Sequence, residues 1–87
     1  MAELTISVVS ANAEIWTGAA KQIVARTTEG EIGILPGHEP ILAILAAGEV
    51  RVTTVDGSVV TANAEDGFLS VQDNTVTIVA RNAALAS

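Results

Sequence analysis

The sequence predicts an all-β fold, a sandwich or barrel of short paired strands, and three observations carry that reading. Valine, isoleucine and threonine fill 28 of the 87 positions, and these β-branched side chains suit a pleated surface better than a helix. Apolar and polar residues alternate with a period of two, in segments separated by turn signals every 8–12 residues or so. One Trp and one Phe are the only large aromatic residues. The core is therefore aliphatic and thin, and two facing sheets suit it better than a helical bundle. The fifteen alanines are scattered, without helical spacing.

The first strand is read from Leu4, Ile6 and Val8 on one face against Thr5 and Ser7 on the other. Asn12 offers a turn, and Glu14–Thr17 forms a second short strand that Gly18 ends. Ala20–Thr28 follows, with Ile23 and Ala25 opposite Gln22, Val24 and Arg26. Gly30–Gly33 reads as a tight turn between two strands. Leu35-Pro36-Gly37-His38 reads as a type II turn, because proline presets its second position and glycine accepts the positive φ of its third. Ile41–Ala47, the longest apolar run, fits a buried strand or a short helical turn equally well. Beyond Gly48, Val50 and Val52 alternate with Arg51 and Thr53, and Asp56-Gly57 is the clearest hairpin signal, leading into Ser58–Ala64. Asp66-Gly67 opens Phe68–Gln72, and Asp73-Asn74 turns into Thr75–Ala80, with Val76, Ile78 and Ala80 inward. Residues 1–87 make a single domain, with residues 82–87 expected as a loose tail.

Composition closes off several functions. A chain this short buries only about 60–65% of the surface it exposes when unfolded, so a single core is expected. The absence of cysteine excludes disulfides and thiolate metal sites, and a lone His38 leaves no histidine pair for a metal. A net charge of −6 is the wrong sign for a nucleic-acid binder. No apolar run approaches the roughly 20 residues of a membrane helix, and no basic-then-apolar leader precedes Leu4, so no signal peptide is expected.

Catalytic arrangements are equally thin. His38 lacks a nucleophile motif and reads as a loop histidine. The carboxylate pairs Glu29/Glu31 and Glu65/Asp66 have almost no aromatic surface beside them on which a sugar could stack, and read as solvated turn acids. The Gly30-Glu31-Ile32-Gly33 spacing resembles that of phosphate-clamping loops, but Glu31 and the adjacent Glu29 would repel a phosphate. Trp16 reads as a core or edge anchor in preference to a binding hot spot. No cofactor, nucleotide or metal site is expected, and the residues alone point to a binding or structural component.

The run Gly30-Glu31-Ile32-Gly33-Ile34-Leu35-Pro36-Gly37-His38-Glu39-Pro40-Ile41-Leu42 resembles the signature of the epsilon subunit of F-type ATP synthases. Val8–Ala11 with Ile15–Gly18, Gly48–Val52, and Gly67–Val71 with Thr75–Ala80 are similar to further segments of that family, in its order and spacing. The resemblance implies a β-sandwich of two roughly five-stranded sheets. It implies a non-catalytic rotor subunit of the central stalk that links the gamma subunit to the c ring and couples proton-driven rotation to ATP synthesis. It places the chain on the cytoplasmic face of the bacterial plasma membrane, with membrane contact only through the complex. By position, Gly30 and Glu31 would face the c ring, while Ser10, His38, Leu42 and Ala43 would face gamma. The family often has a polar residue where Ala43 stands. Its members commonly continue into an α-helical hairpin, so a chain ending at Ser87 is expected either to be naturally short or to be cut at the domain edge. The inhibitory and nucleotide-binding elements of that hairpin are expected to be missing. A small carbohydrate- or peptide-binding β-sandwich module is the competing reading of the residues.

Overall fold

A computed structural model describes residues 3–11 and 13–85, which form six strands and no helix. The strands are β1 (Leu4–Ser10), β2 (Glu14–Thr27), β3 (Gly30–Ile34), β4 (Ile41–Thr54), β5 (Val59–Gln72) and β6 (Thr75–Leu85). Their order is β1-β6-β5-β4-β2-β3, and β1 also pairs with β2, so five strands close on themselves while β3 is added outside β2. The β1–β6 pair is parallel and the others are antiparallel.

Each long strand serves two layers. Residues 14–20 of β2 pair with β1, whereas residues 22–27 pair mainly with β4 and β3. The β2–β4 register jumps between Ala25 and Thr27, where β4 bulges around Gly48 (φ 156°). Along β4 and β5, pairing of 41–44 with 68–71 gives way to pairing of 48–53 with 59–64. Divided at these bends, the described residues form two layers of five segments. The first contains 41–44, 67–72, 75–80, 4–10 and 14–20; the second contains 30–34, 22–27, 48–54, 59–65 and 82–85. This is the predicted sandwich, built from fewer and longer strands than the turn signals suggest.

The core lies between the layers. Leu4, Ile6, Val8, Leu69, Val71, Val76 and Ile78 come from the first and Ile23, Ala25, Ile34, Val50 and Val52 from the second, all essentially sealed from solvent. Burying such aliphatic side chains stabilises by about 1.5–3 kcal/mol each, before the entropy of ordering them. Trp16 and Ile15 pack against this cluster from its margin.

Several local expectations change. Gly18 does not end a strand: it pairs with Ile6 inside β2, and a Cβ there would meet Trp16 Cζ2 at 2.8 Å, so the glycine makes room for the indole. Gly30–Gly33 is strand β3, not a turn. The reversal lies just before it at Thr28-Glu29, where Thr27 Oγ1 donates to the Gly30 carbonyl at 2.7 Å and accepts from Glu29 N at 3.2 Å. Ile41–Ala47 is strand. Asp66-Gly67 does not open a strand either, since β5 runs through it with Asp66 at φ 56°. Residues 82–85 are not a loose tail: β6 carries them to Leu85, paired with Ala62–Glu65, because their backbone groups complete the ladder on the edge of β5. Asn12 and residues 86–87 lie outside the described residues.

The turns at Leu35–His38 and Asp73-Asn74 form as read. His38 N donates to the Leu35 carbonyl at 3.2 Å with Gly37 at φ 89°, and Asp73 and Asn74 both adopt positive φ. Asp56-Gly57 closes the β4–β5 hairpin: Gly57 N donates to the Thr54 carbonyl at 3.0 Å and Thr54 N to the Ser58 carbonyl at 2.8 Å.

Candidate docking faces

Strand alternation gives each layer one face toward the core and one toward solvent, and the two outer faces differ in chemistry. On the first layer, Ile44 lies across from Phe68, Phe68 from Val79, and Val79 from Val9, an apolar row running over four segments. Leu42 stands beside this row, 70% exposed, and Ile44 and Phe68 are exposed as well. The adjacent row, Leu42–Ser70–Thr77–Ser7, is mostly hydroxylic. An apolar strip that is exposed at Leu42, Ile44 and Phe68 and half-buried at Val79 and Val9 marks an interaction surface on a small acidic domain.

The residues assigned to gamma frame this layer. His38 sits at the end where the Leu35–His38 turn meets the β5–β6 turn, joined to it by Gly37 N donating to Asn74 Oδ1 at 2.7 Å. Its own Nδ1 lies 2.8 Å from the Glu39 carbonyl. Ser10 ends β1 at the opposite end, paired with Ala80, with its Oγ donating to the Ala13 carbonyl at 3.2 Å. From the Thr5–Thr75 row to the Ser10–Ala80 row is five residues, about 17 Å. Ser10 also borders an open cavity of about 580 Å³ together with Glu65, Arg81 and Asn82. Leu42 points outward between these ends. Ala43 pairs with the fully buried Leu69 and shares its inward parity, so Leu42 is the side chain of the two that is presented to a partner.

The second layer is mostly polar outside, with Val59 and Val24 as its apolar exceptions. Gly30 opens β3 opposite Thr27, with φ 121°, and Glu31 follows opposite Arg26. Arg51 Nη2 lies 3.7 Å from Glu31 Oε2. Arg26, Glu31, Gly48, Glu49 and Arg51 line a shallow cavity of about 280 Å³. Gly30 and Glu31 thus lie on a different layer from Leu42 and Ser10, and the structure does not gather the six residues into one site.

Sequence reading passed over Ile44, Phe68, Val79 and Val9 as surface residues. A signal was present, since an uninterrupted apolar run such as Ile41–Ala47 is what a strand covered on both faces shows. The Arg51–Glu31 contact had no signal, because only the strand register brings together residues so far apart in sequence.

The fold and its two unlike faces define an all-β subunit that works by docking against other proteins. Residues 3–86 match the family described as ATP synthase, Delta/Epsilon chain, beta-sandwich domain, and the chain belongs to it. The ATP synthase epsilon chain of Micrococcus luteus is 55% identical over 98% of this chain and 93% of that relative. The epsilon chain of Rhodococcus jostii is 49% identical, with 99% of this chain and 71% of the relative covered. Among solved structures, a chain of the Euglena gracilis mitochondrial ATP synthase, in its OSCP/F1/c-ring assembly, superposes with a TM-score of 0.90 at 29% identity. That match covers 98% of this chain and 54% of the other, so the chain spans about half of that longer relative. A central stalk/c-ring structure of the Tetrahymena thermophila enzyme matches in fold, with a TM-score of 0.74 at 19% identity over 92% of this chain and 64% of that one. The chain is accordingly a non-catalytic, epsilon-type subunit of the ATP synthase, part of a membrane-associated complex.

Proposed function

We propose that this chain links the gamma subunit to the c ring, coupling proton-driven rotation to ATP synthesis at the cytoplasmic face of the bacterial plasma membrane. The carrying observation is the difference between the outer faces: an apolar strip beside Leu42 on one layer, and the charged group around Glu31 on the other. Gamma covers the first, with His38 and Ser10 at the two ends of that layer, because an apolar strip contributes most when a permanent partner buries it. The β2–β3 hairpin with Gly30 and Glu31 meets the polar loops of the ring, where a carboxylate on an exposed edge strand gives specificity and register at small cost.

The experiment is reconstitution of the rotor with Leu42→Glu and Glu31→Lys variants. Leu42→Glu should fail to recover gamma, whereas Glu31→Lys should recover gamma and lose the ring or proton-coupled synthesis. If both variants assemble and couple like wild type at physiological salt, the assignment of the faces is wrong.

A further inference from the structure

Glu31 is flanked by two of the four basic residues of a chain with net charge −6. Arg26 lies directly across the β2–β3 ladder, and Arg51 reaches Glu31 diagonally from β4 over the intervening β2. The ladder leaves room for this reach. Gly33 occupies the β3 position in Arg51's own row, through Val24, and a Cβ there would meet nothing within 4 Å. The Arg26 stem lies against Gly48, where a Cβ would stand 3.4 Å from Arg26 Cδ. Glu49 is the remaining charge lining the same cavity.

The pair is poorly placed to serve folding. The two side chains are 53% and 57% exposed and the contact is 3.7 Å, a Coulombic pairing without hydrogen-bond geometry, which adds little stability in water. Its charge favours those rotamers of the flexible carboxylate that point toward Arg51, with Oε2 at the contact. Ordering a side chain before contact removes part of the entropic cost of binding.

We propose that Arg51 is a positioning residue for docking on the ring, holding the Glu31 carboxylate in the orientation that a polar ring loop receives. This inference rests on the reading that Glu31 meets the ring. At 3.7 Å the positive charge of Arg51 matters more than its guanidinium fork, so lysine should substitute for it.

The test is a double-mutant cycle on rebinding of the full chain to gamma–c-ring rotors, with Glu31→Gln, Arg51→Gln, the double variant and Arg51→Lys. Thermal melting of each variant monitors folding. Glu31→Gln should weaken binding about tenfold and Arg51→Gln about two- to fivefold, the most that an exposed pair can contribute by pre-ordering its partner, and the double variant should be no weaker than the worse single. Arg51→Lys should bind close to wild type, with all melting curves nearly superimposed. A double variant weakened by the product of the singles would show that Arg51 acts independently of Glu31 and would overturn the proposal, as would failure of lysine to rescue. Wild-type binding by Glu31→Gln would instead remove the placement of Glu31 at the ring. Wild-type binding by Arg51→Gln beside a weakened Glu31→Gln would leave that placement standing and sink the positioning role.

Discussion

Gly67 and Val79 approach so closely across the β5–β6 ladder that a Cβ on Gly67 would lie 1.8 Å from the Val79 carbonyl oxygen and 2.6 Å from Ala80 Cα. Both obstacles are backbone, so no rotamer change relieves them. The contact occurs beside Asp66, where β5 passes from one layer to the other. Gly67→Ala should therefore destabilise by about 1–3 kcal/mol or more, through forced separation of the two strands. Chemical denaturation of the variant checks this, and wild-type stability would show that the strands separate freely.

Ile78 is fully buried at the centre of the first layer, paired with Leu69 and Val8. Ile78→Ala should cost roughly 2–5 kcal/mol by leaving a cavity in a core with no bulky side chain to collapse into it. Leu42→Glu, on the outer face, should stay within about ±0.5 kcal/mol of wild type. Melting the two variants side by side separates core from surface, and equal losses would contradict the inward and outward assignment.

The Asp56 carboxylate caps its own hairpin, accepting from the Thr54 hydroxyl and, at 3.1 Å, from Ser58 N. The Thr54 bond, then that from Ser58, holds its pKa below the ordinary 3.8. A depressed carboxylate contributes stability that is present above 3.8 and lost as pH falls through the lower folded value. Carboxyl NMR titration should therefore place the Asp56 midpoint below 3.8, and Thr54→Val should raise it. An unchanged midpoint in Thr54→Val would rule out the hydroxyl as the main cause.

Mg-ATP should give a flat calorimetric titration with this chain into the millimolar range. The glycine-spaced segment Gly30–Gly33 is a strand carrying Glu31 outward, opposite Arg26, and not a loop of inward-turned amides that could cradle a phosphate. Saturable micromolar binding would reveal a site elsewhere.

Strand class, core parity and most reversals were legible in the residues. Leu4, Ile6 and Val8, like Val76, Ile78 and Ala80, alternate because period-two burial is written into the chain one residue at a time. Pro36-Gly37, Asp56-Gly57 and Asp73-Asn74 mark reversals because φ preferences are local. The family resemblance likewise rested on a contiguous run, Gly30–Leu42.

Tertiary pairing decided the rest. Glycines and short polar residues read as breaks, yet β2 runs through Gly18 under the Trp16 ring, β5 runs through Asp66-Gly67, and residues 82–85 extend β6 because β5 offers them a ladder. Whether such a residue ends a strand or bends it depends on which backbone lies opposite, and local propensity carries no record of that. The two docking faces are of the same kind. Ile44, Phe68, Val79 and Val9 become one strip, and Arg51 reaches Glu31, only through the register of strands distant in sequence. Sequence alone determined which residues point inward wherever polar and apolar residues alternate; closure of the sandwich determined the facing of the all-apolar run and which outward residues became neighbours, because a β-sheet draws its surface from non-local hydrogen bonds.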